Sequence, residues 1–135
     1  MRAFGWCLVL ALVWPVTVVA QAPESAQVVI RAQLQAFSDD NAEHAFSYAA
    51  DGIKQQFGNA ERFARMVRSQ YPALYRPRHI AFVDPVVVSS EQMYQEVSLV
   101  DGQGRGWRAV YSLISVSGEW RIDGVAILRA PQLVL

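Results

Sequence analysis

The feature that most constrains this chain is a change of period near its middle, across Tyr71-Pro72-Ala73-Leu74-Tyr75-Arg76-Pro77. Before that elbow, apolar residues return every three or four positions, the signature of helices packed by one face; after it they alternate, the signature of strands. Ser25 is read as the N-cap of a first helix carrying Val29, Ile30, Gln33, Leu34 and Phe37. The cluster Ser38-Asp39-Asp40-Asn41 ends it and caps a second, Ala42 to Ala49. A short piece, Ile53 to Phe57, follows Asp51-Gly52 and stops at Gly58, and Asn59 caps a helix to about Arg68 with Phe63, Met66 and Val67 inward. Pro72 and Pro77 close the helical half, because proline removes a backbone donor and clashes with the preceding turn.

Five strands are expected beyond it: Arg78–Val83, Val86–Val88, Gln92–Val100, Gly106–Val116 and Glu119–Arg129. Helices followed by an antiparallel meander make an α+β fold, with the N-terminal helices laid on one face of a curved sheet. A two-residue turn at Ser117-Gly118 would set Val116 against Glu119 and Tyr111 against Gly124. Trp107, Tyr111, Leu113, Trp120, Ile122 and Leu128 then share the inner face, joined by Met93, Val97 and Leu99 if Val100 opposes Gly106. The outer face receives Tyr94, Glu96, Arg108, Val110, Ser112, Ile114, Val116, Arg121, Asp123, Val125 and Ile127, a mixture too apolar for a fully wetted surface. Such a face is expected to meet a second copy of the chain.

The N-terminus carries an address. Arg2 is the only charge before Glu24, an apolar run fills Ala3 to Ala20, and Ala20-Gln21-Ala22 offers small residues for a peptidase. This pattern predicts a signal peptide over residues 1–22, cut after Ala20 or Ala22, and a single exported, periplasmic domain over 23–135. Cleavage would remove Cys7, the chain's only cysteine, leaving no thiol for a disulfide or nucleophile. It would also remove one of 12 basic residues against 12 acidic ones, for a net charge of −1. That balance gives no electrostatic footprint for nucleic acid, and no membrane insertion is expected after cleavage.

Arg31-Ala-Gln-Leu-Gln-Ala-Phe37, Asp39-Asp40, Ala45-Phe46, Phe57-Gly58, Met66-Val67 and above all Tyr71-Pro-x-x-Tyr-Arg-Pro77 resemble an uncharacterised bacterial family, the domain of unknown function four-eight-six-four. Gln95-Glu96-Val97 and Trp120-Arg121-Ile122 extend the resemblance over nearly the whole mature chain. It implies a nuclear-transport-factor-two-like cone, in which helices are cupped by a curved antiparallel sheet. It implies no activity, since that fold hosts enzymes, binders and scaffolds.

The chemistry-bearing residues favour a binder. His44 and His79 have no second ligand at coordinating spacing, so no metal is expected and no cofactor is implied. Gly102-Gln103-Gly104-Arg105-Gly106 precedes a strand, where a phosphate cradle would open a helix, and reads as a flexible hairpin loop. Arg62, Arg65 and Arg68 read as a solvated helix face, with Glu61 and Arg65 a favourable pair. An isomerase-like site needs a shielded carboxylate beside a tyrosine. Tyr111 faces inward, yet Glu96 and Asp123 fall outward and Asp84 sits in a turn, so no catalytic residue is assigned. Gln95, opposite Tyr111, is a polar group on an apolar face. A pocket lined by Gln95, Trp107 and Tyr111, with Tyr71, Tyr75 and Arg76 at its rim, is the candidate site for a small apolar or amphipathic molecule. Two alternatives stand beside it: a cofactor-independent isomerase or dehydratase, and a dimerising module working through Val110, Ile114 and Val125.

Overall fold

A computed structural model of the chain describes residues 22–131. Residues 1–21 and 132–135 lie outside the described residues, and with the first of these segments goes all but the last residue of the expected signal peptide, residues 1–22. Ala22 is the first residue of α1, which spans Ala22–Ser38 and so starts one turn before Ser25. Then come α2 (Ala42–Ser47), α3 (Asp51–Phe57), α4 (Ala60–Gln70) and α5 (Pro72–Tyr75). The last, a single turn, is built from the elbow itself: proline at its first position has no N–H to waste there and its φ is already helical. Asn41 and Asn59 are the N-caps of α2 and α4, accepting from the backbone N–H of His44 at 3.1 Å and of Arg62 at 2.9 Å. Gly58, at φ +77°, ends α3 as its left-handed C-cap.

The strands are β1 (His79–Phe82), β2 (Val86–Val87), β3 (Gln92–Val100), β4 (Gly106–Val116) and β5 (Glu119–Arg129). They form one antiparallel sheet in the order β1-β3-β4-β5, with β2 also paired to β3. Register between β3 and β4 is as expected, Val100 opposite Gly106 and Gln95 opposite Tyr111. Val116 opposes Glu119 across a turn whose central residues, Ser117 and Gly118, both have positive φ. This mirror-image turn matches the twist of the flanking strands.

One expectation fails halfway along β5. The ladder slips between Ser112 and Leu113, so Leu113 opposes Ile122 but Ser112 opposes Gly124, and Asp123 is left as the extra residue of a β-bulge. Tyr111 therefore opposes Val125, and not Gly124. Beyond the bulge every side chain changes face. Val125 and Ile127 turn onto the core, against Tyr111 and Ala109, while Leu128 turns outward and is 57 % exposed. Val125 is thus no part of an outer-face interaction patch.

The core lies between the helices and the inner sheet face. From α1 come Ala26, Ile30, Leu34 and Phe37, on one side of the helix; from the sheet come Met93, Val97, Leu99, Ala109, Tyr111, Leu113, Trp120 and Ile122. Phe63 of α4 gathers the aromatic end, with ring centroids 5.3 Å from Phe46 and 5.8 Å from both Phe37 and Phe57. The helical half is tied to β5 through backbone: Ile122 donates to Tyr48 O at 2.9 Å and accepts from Ala50 N–H at 2.8 Å. No helix among the described residues is long and apolar enough to cross a membrane.

The bulge sets a direct test. Leu113→Ala should cost about 2–5 kcal/mol in chemical denaturation, as for other fully buried leucines, whereas Leu128→Ala should stay within about 0.5 kcal/mol. Comparable losses at both positions would mean that β5 runs without the slip.

Candidate functional site

The six residues singled out from sequence do not share a cavity. Gln95 is fully buried and its polar atoms are occupied: its Nε2 donates to Val83 O and to Glu96 O, and its Oε1 accepts from Gln27 Nε2 at 3.2 Å. Tyr111, 1 % exposed, sits beside it with a hydroxyl that has no hydrogen-bond partner among the described residues, and burial pushes its pKa well above the usual phenol value. Trp107 lies at the loop end of β4. Its indole N–H donates to Asp101 Oδ2 at 2.9 Å, and the guanidiniums of Arg105 and Arg129 lie 5.8 Å and 4.9 Å from its ring.

Tyr75 and Arg76 belong to a fastener at the elbow. The Tyr75 hydroxyl donates to Asp40 Oδ1 and accepts from Arg68 at 2.6 Å, while Arg76 donates to Asp40 Oδ2. Arg68 also lies over the Tyr75 ring at 4.6 Å. The Tyr75 hydrogen bond, reinforced by Arg76 and Arg68 against a partial burial penalty, holds the Asp40 carboxyl below its ordinary value. The cluster binds the α1–α2 turn to α4 and α5, with Asp40 in the left-handed region at φ +53°.

Tyr75 and Arg76 line a polar depression with Asp40, Arg68 and Pro72, and Tyr71 opens onto a separate, more apolar groove. This groove, of about 440 Å³, lies where α1, α3, α4 and α5 meet the β5 bulge. Phe37, Phe57, Phe63, Leu74, Ile122 and Val125 contribute apolar surface; Gln56, Gln70, Tyr71 and Asp123 bring polar groups. Among the described residues no Lys, Arg or His lines it. The bulge makes the groove, since it turns Val125 inward and leaves Asp123 exposed at the edge. One signal in the sequence pointed there: an isolated glycine inside a strand, Gly124, often accompanies a bulge.

A second constellation missed from sequence is Asp101, 6 % exposed, at the β3–β4 hairpin. Its Oδ1 accepts from the backbone N–H groups of Gln103 at 2.9 Å and Arg105 at 3.0 Å; its Oδ2 accepts from Arg105 Nε at 2.8 Å and from the Trp107 indole. The glycine-rich loop is therefore wrapped around the chain's own carboxylate, which takes two of its amides. Burial alone would raise the Asp101 pKa. The Trp107 N–H, the Arg105 and Gln103 amides and the Arg105 guanidinium outweigh it and hold the carboxyl far below its usual range. Asp preceding Gly, a common side-chain-to-backbone turn, was the available signal.

On the outer face Glu96 pairs with Arg108 at 2.6 Å, whereas Arg121 turns to Glu119 rather than Asp123. His44 meets Tyr48 OH at 2.8 Å, His79 is exposed on β1, and no group of three potential metal ligands occurs among the described residues.

With this geometry in place, comparison with known proteins gives a family. The model described as "Domain of unknown function (DUF4864)" matches residues 19–134. The chain belongs to the DUF4864 family. Among solved structures, this DUF4864 protein is similar to an NTF2-like protein of unknown function from Shewanella baltica OS155. The TM-score is 0.58 at 13% identity, over 86% of this chain and 99% of that one. At that identity the likeness shows the fold alone, and the fold is NTF2-like. A protein from Kribbella flavida DSM 17836 aligns over 78% of this chain and 87% of its own with 13% identity, but its TM-score of 0.42 supports no argument. No curated protein sequence matches the chain significantly.

Asp101 yields the prediction for this DUF4864 domain. Its folded pKa is depressed, so its contribution to stability is complete above the ordinary aspartate value of 3.8 and is lost as pH falls through the lower folded value. The Tm of the wild type should drop from about pH 4 downward, and Asp101→Asn should lower Tm at pH 7 while flattening that acid limb. An unchanged acid limb in the variant would remove Asp101 from this role.

Proposed function

We propose that this protein is an exported, non-catalytic binder that holds a small amphipathic molecule in the groove between the helices and the β5 bulge. The observation that carries the reading is the groove itself, an aromatic and aliphatic recess with a few polar groups at its edge, which is the composition of ligand sites in general. Its polar groups are amides, a phenol and one carboxylate, so it suits a neutral or cationic head and disfavours an anionic one. A carboxylate–tyrosine pair for proton abstraction is a poorer account. Asp123 is exposed on the bulge, while the Tyr111 hydroxyl is sealed in the core.

The outer sheet face favours a second element, self-association. Val86 and Tyr94, paired neighbours, are 61 % and 39 % exposed, and Val116 and Leu128 are exposed on β4 and β5. An apolar face of this kind suits a second copy meeting it face to face.

Native mass spectrometry of protein purified from its own host reads all three elements together. The expected result is a chain beginning after residue 20 or 22, a retained ligand and a dimer. An intact leader, a bare chain or a monomer would overturn the corresponding element. In solution, N-phenylnaphthylamine, a neutral amphiphile, should bind the wild type and lose about tenfold or more in affinity, about 1.4 kcal/mol, in Met66→Arg. Tyr111→Phe should leave that binding unchanged and, by deleting a buried unpartnered hydroxyl, not lower stability. Loss of binding in Tyr111→Phe with retention in Met66→Arg would place the ligand inside the cone and refute the groove.

A further inference from the structure

A second groove, of about 530 Å³, lies on the opposite side of α1, between that helix and the start of β1. Along α1, Gln33 and Phe37 face the first groove, whereas Val28, Arg31 and Leu34 line the second, as the 100° step of a helix requires. From the sheet side come Arg78, His79 and Ile80. Apolar surface is plentiful here too, with Val28 65 % exposed, but the charge is reversed: two arginines and a histidine line the groove and, among the described residues, no Asp or Glu does.

Arg31 and Arg78 differ in how they are held from five of the ten arginines among the described residues. Arg68, Arg76, Arg105, Arg108 and Arg121 each have a carboxylate within 4.0 Å. The Arg31 guanidinium lies 4.7 Å above the ring of Phe82, and Arg78 donates to the carbonyl of Gly102 at 2.7 Å. A ring face and a carbonyl fix the direction of a guanidinium without neutralising it. Asp39, on the flank, is exposed and accepts from Gln35 Nε2 at 3.0 Å. Two oriented guanidiniums, with no carboxylate partner among the described residues, thus line one apolar recess, a geometry suited to the forked oxygens of a carboxylate or phosphate.

We propose that this groove binds single amphiphiles with an oxyanion head, a carboxylate or phosphate monoester carried on an apolar tail. The head would lie against Arg31 and Arg78 and the tail along Val28, Leu34 and Ile80. An anionic membrane surface is the weaker occupant. The cations line a recess, and the chain as a whole has a formal net charge of zero to draw it to such a surface.

Calorimetric titration of the intact protein with decanoate, decyl phosphate, decanol and anionic phosphatidylglycerol vesicles tests this. Decanoate or decyl phosphate should bind at least about tenfold more tightly than decanol. The double variant Arg31→Gln/Arg78→Gln should bring them to the level of decanol, while Arg62→Gln/Arg65→Gln, which removes the same charge from an exposed helix face, should keep wild-type affinity. Met66→Arg should also keep it, which separates this groove from the first. Equal affinity for decanol and the two anions, no binding of either anion, equal loss in both double variants, or binding to vesicles alone would each overturn the proposal. Displacement of N-phenylnaphthylamine by decanoate would do so as well, by placing the anion in the other groove.

Discussion

Two backbone hydrogen bonds at Ile122 join the helical half of this chain to its sheet, and much else follows from them. Ile122 gives its N–H to Tyr48 and takes one from Ala50, so the α2–α3 turn acts as a short parallel partner for β5. Such bonds fix position along the strand as well as distance, which side-chain packing does less strictly. The next residue, Asp123, is the bulge. Up to Ile122, β5 keeps the register dictated by the Ser117-Gly118 turn; after Asp123 it presents the alternate set of side chains. Trp120 and Ile122, before the bulge, belong to the buried core, and Val125 and Ile127, after it, pack against that same core.

The fold was legible in the sequence because its signals are local and agree. Asparagine caps, a glycine stop at Gly58 and the change of period at the elbow set the elements, and β3, β4 and β5 run between the bounds that alternation gives. Fixing Val116 against Glu119 aligned the near half of β4 and β5 correctly. The far half was misread because a bulge leaves the alternation of residue types almost intact while exchanging which set is inward. Val125, Ile127 and Leu128 are all apolar, and nothing in their order says which two are buried. The site was less legible for the same reason: Gln95 and Tyr111 were rightly paired, yet packing from α1, including the Gln27 amide, fills the space in front of Gln95. Residues around the open groove come from five separate elements, and no short motif unites them.

Charge is distributed with a consistent logic around α1. On one side the recess has aromatic rings, amides and Asp123; on the other it has Arg31, Arg78 and His79. Elsewhere charge is consumed internally. Asp40 is shared by Arg68, Arg76 and the Tyr75 hydroxyl, and Asp101 by Arg105, Trp107 and two amides. Each of these carboxylates closes a junction between elements, the helical elbow in one case and the β3–β4 hairpin in the other. Near-neutrality of the whole chain therefore conceals strong local contrasts.

The interruptions of the two edge strands also bear on aggregation. Val86, Val87 and Val88 are exposed and β-branched at a sheet edge, a combination that in a longer strand would template fibrils. Here the β1–β2 edge is broken by Asp84-Pro85, and Pro85 has no N–H to offer an incoming strand. On the far edge, β5 is covered at Ile122 by Tyr48 and Ala50 and bent at Asp123. The β1–β2 margin does not present the six or seven consecutive residues that a cross-β stack requires. Growth by strand addition is frustrated along the valine-rich border, which lets the chain keep exposed β-branched residues there without a long templating edge.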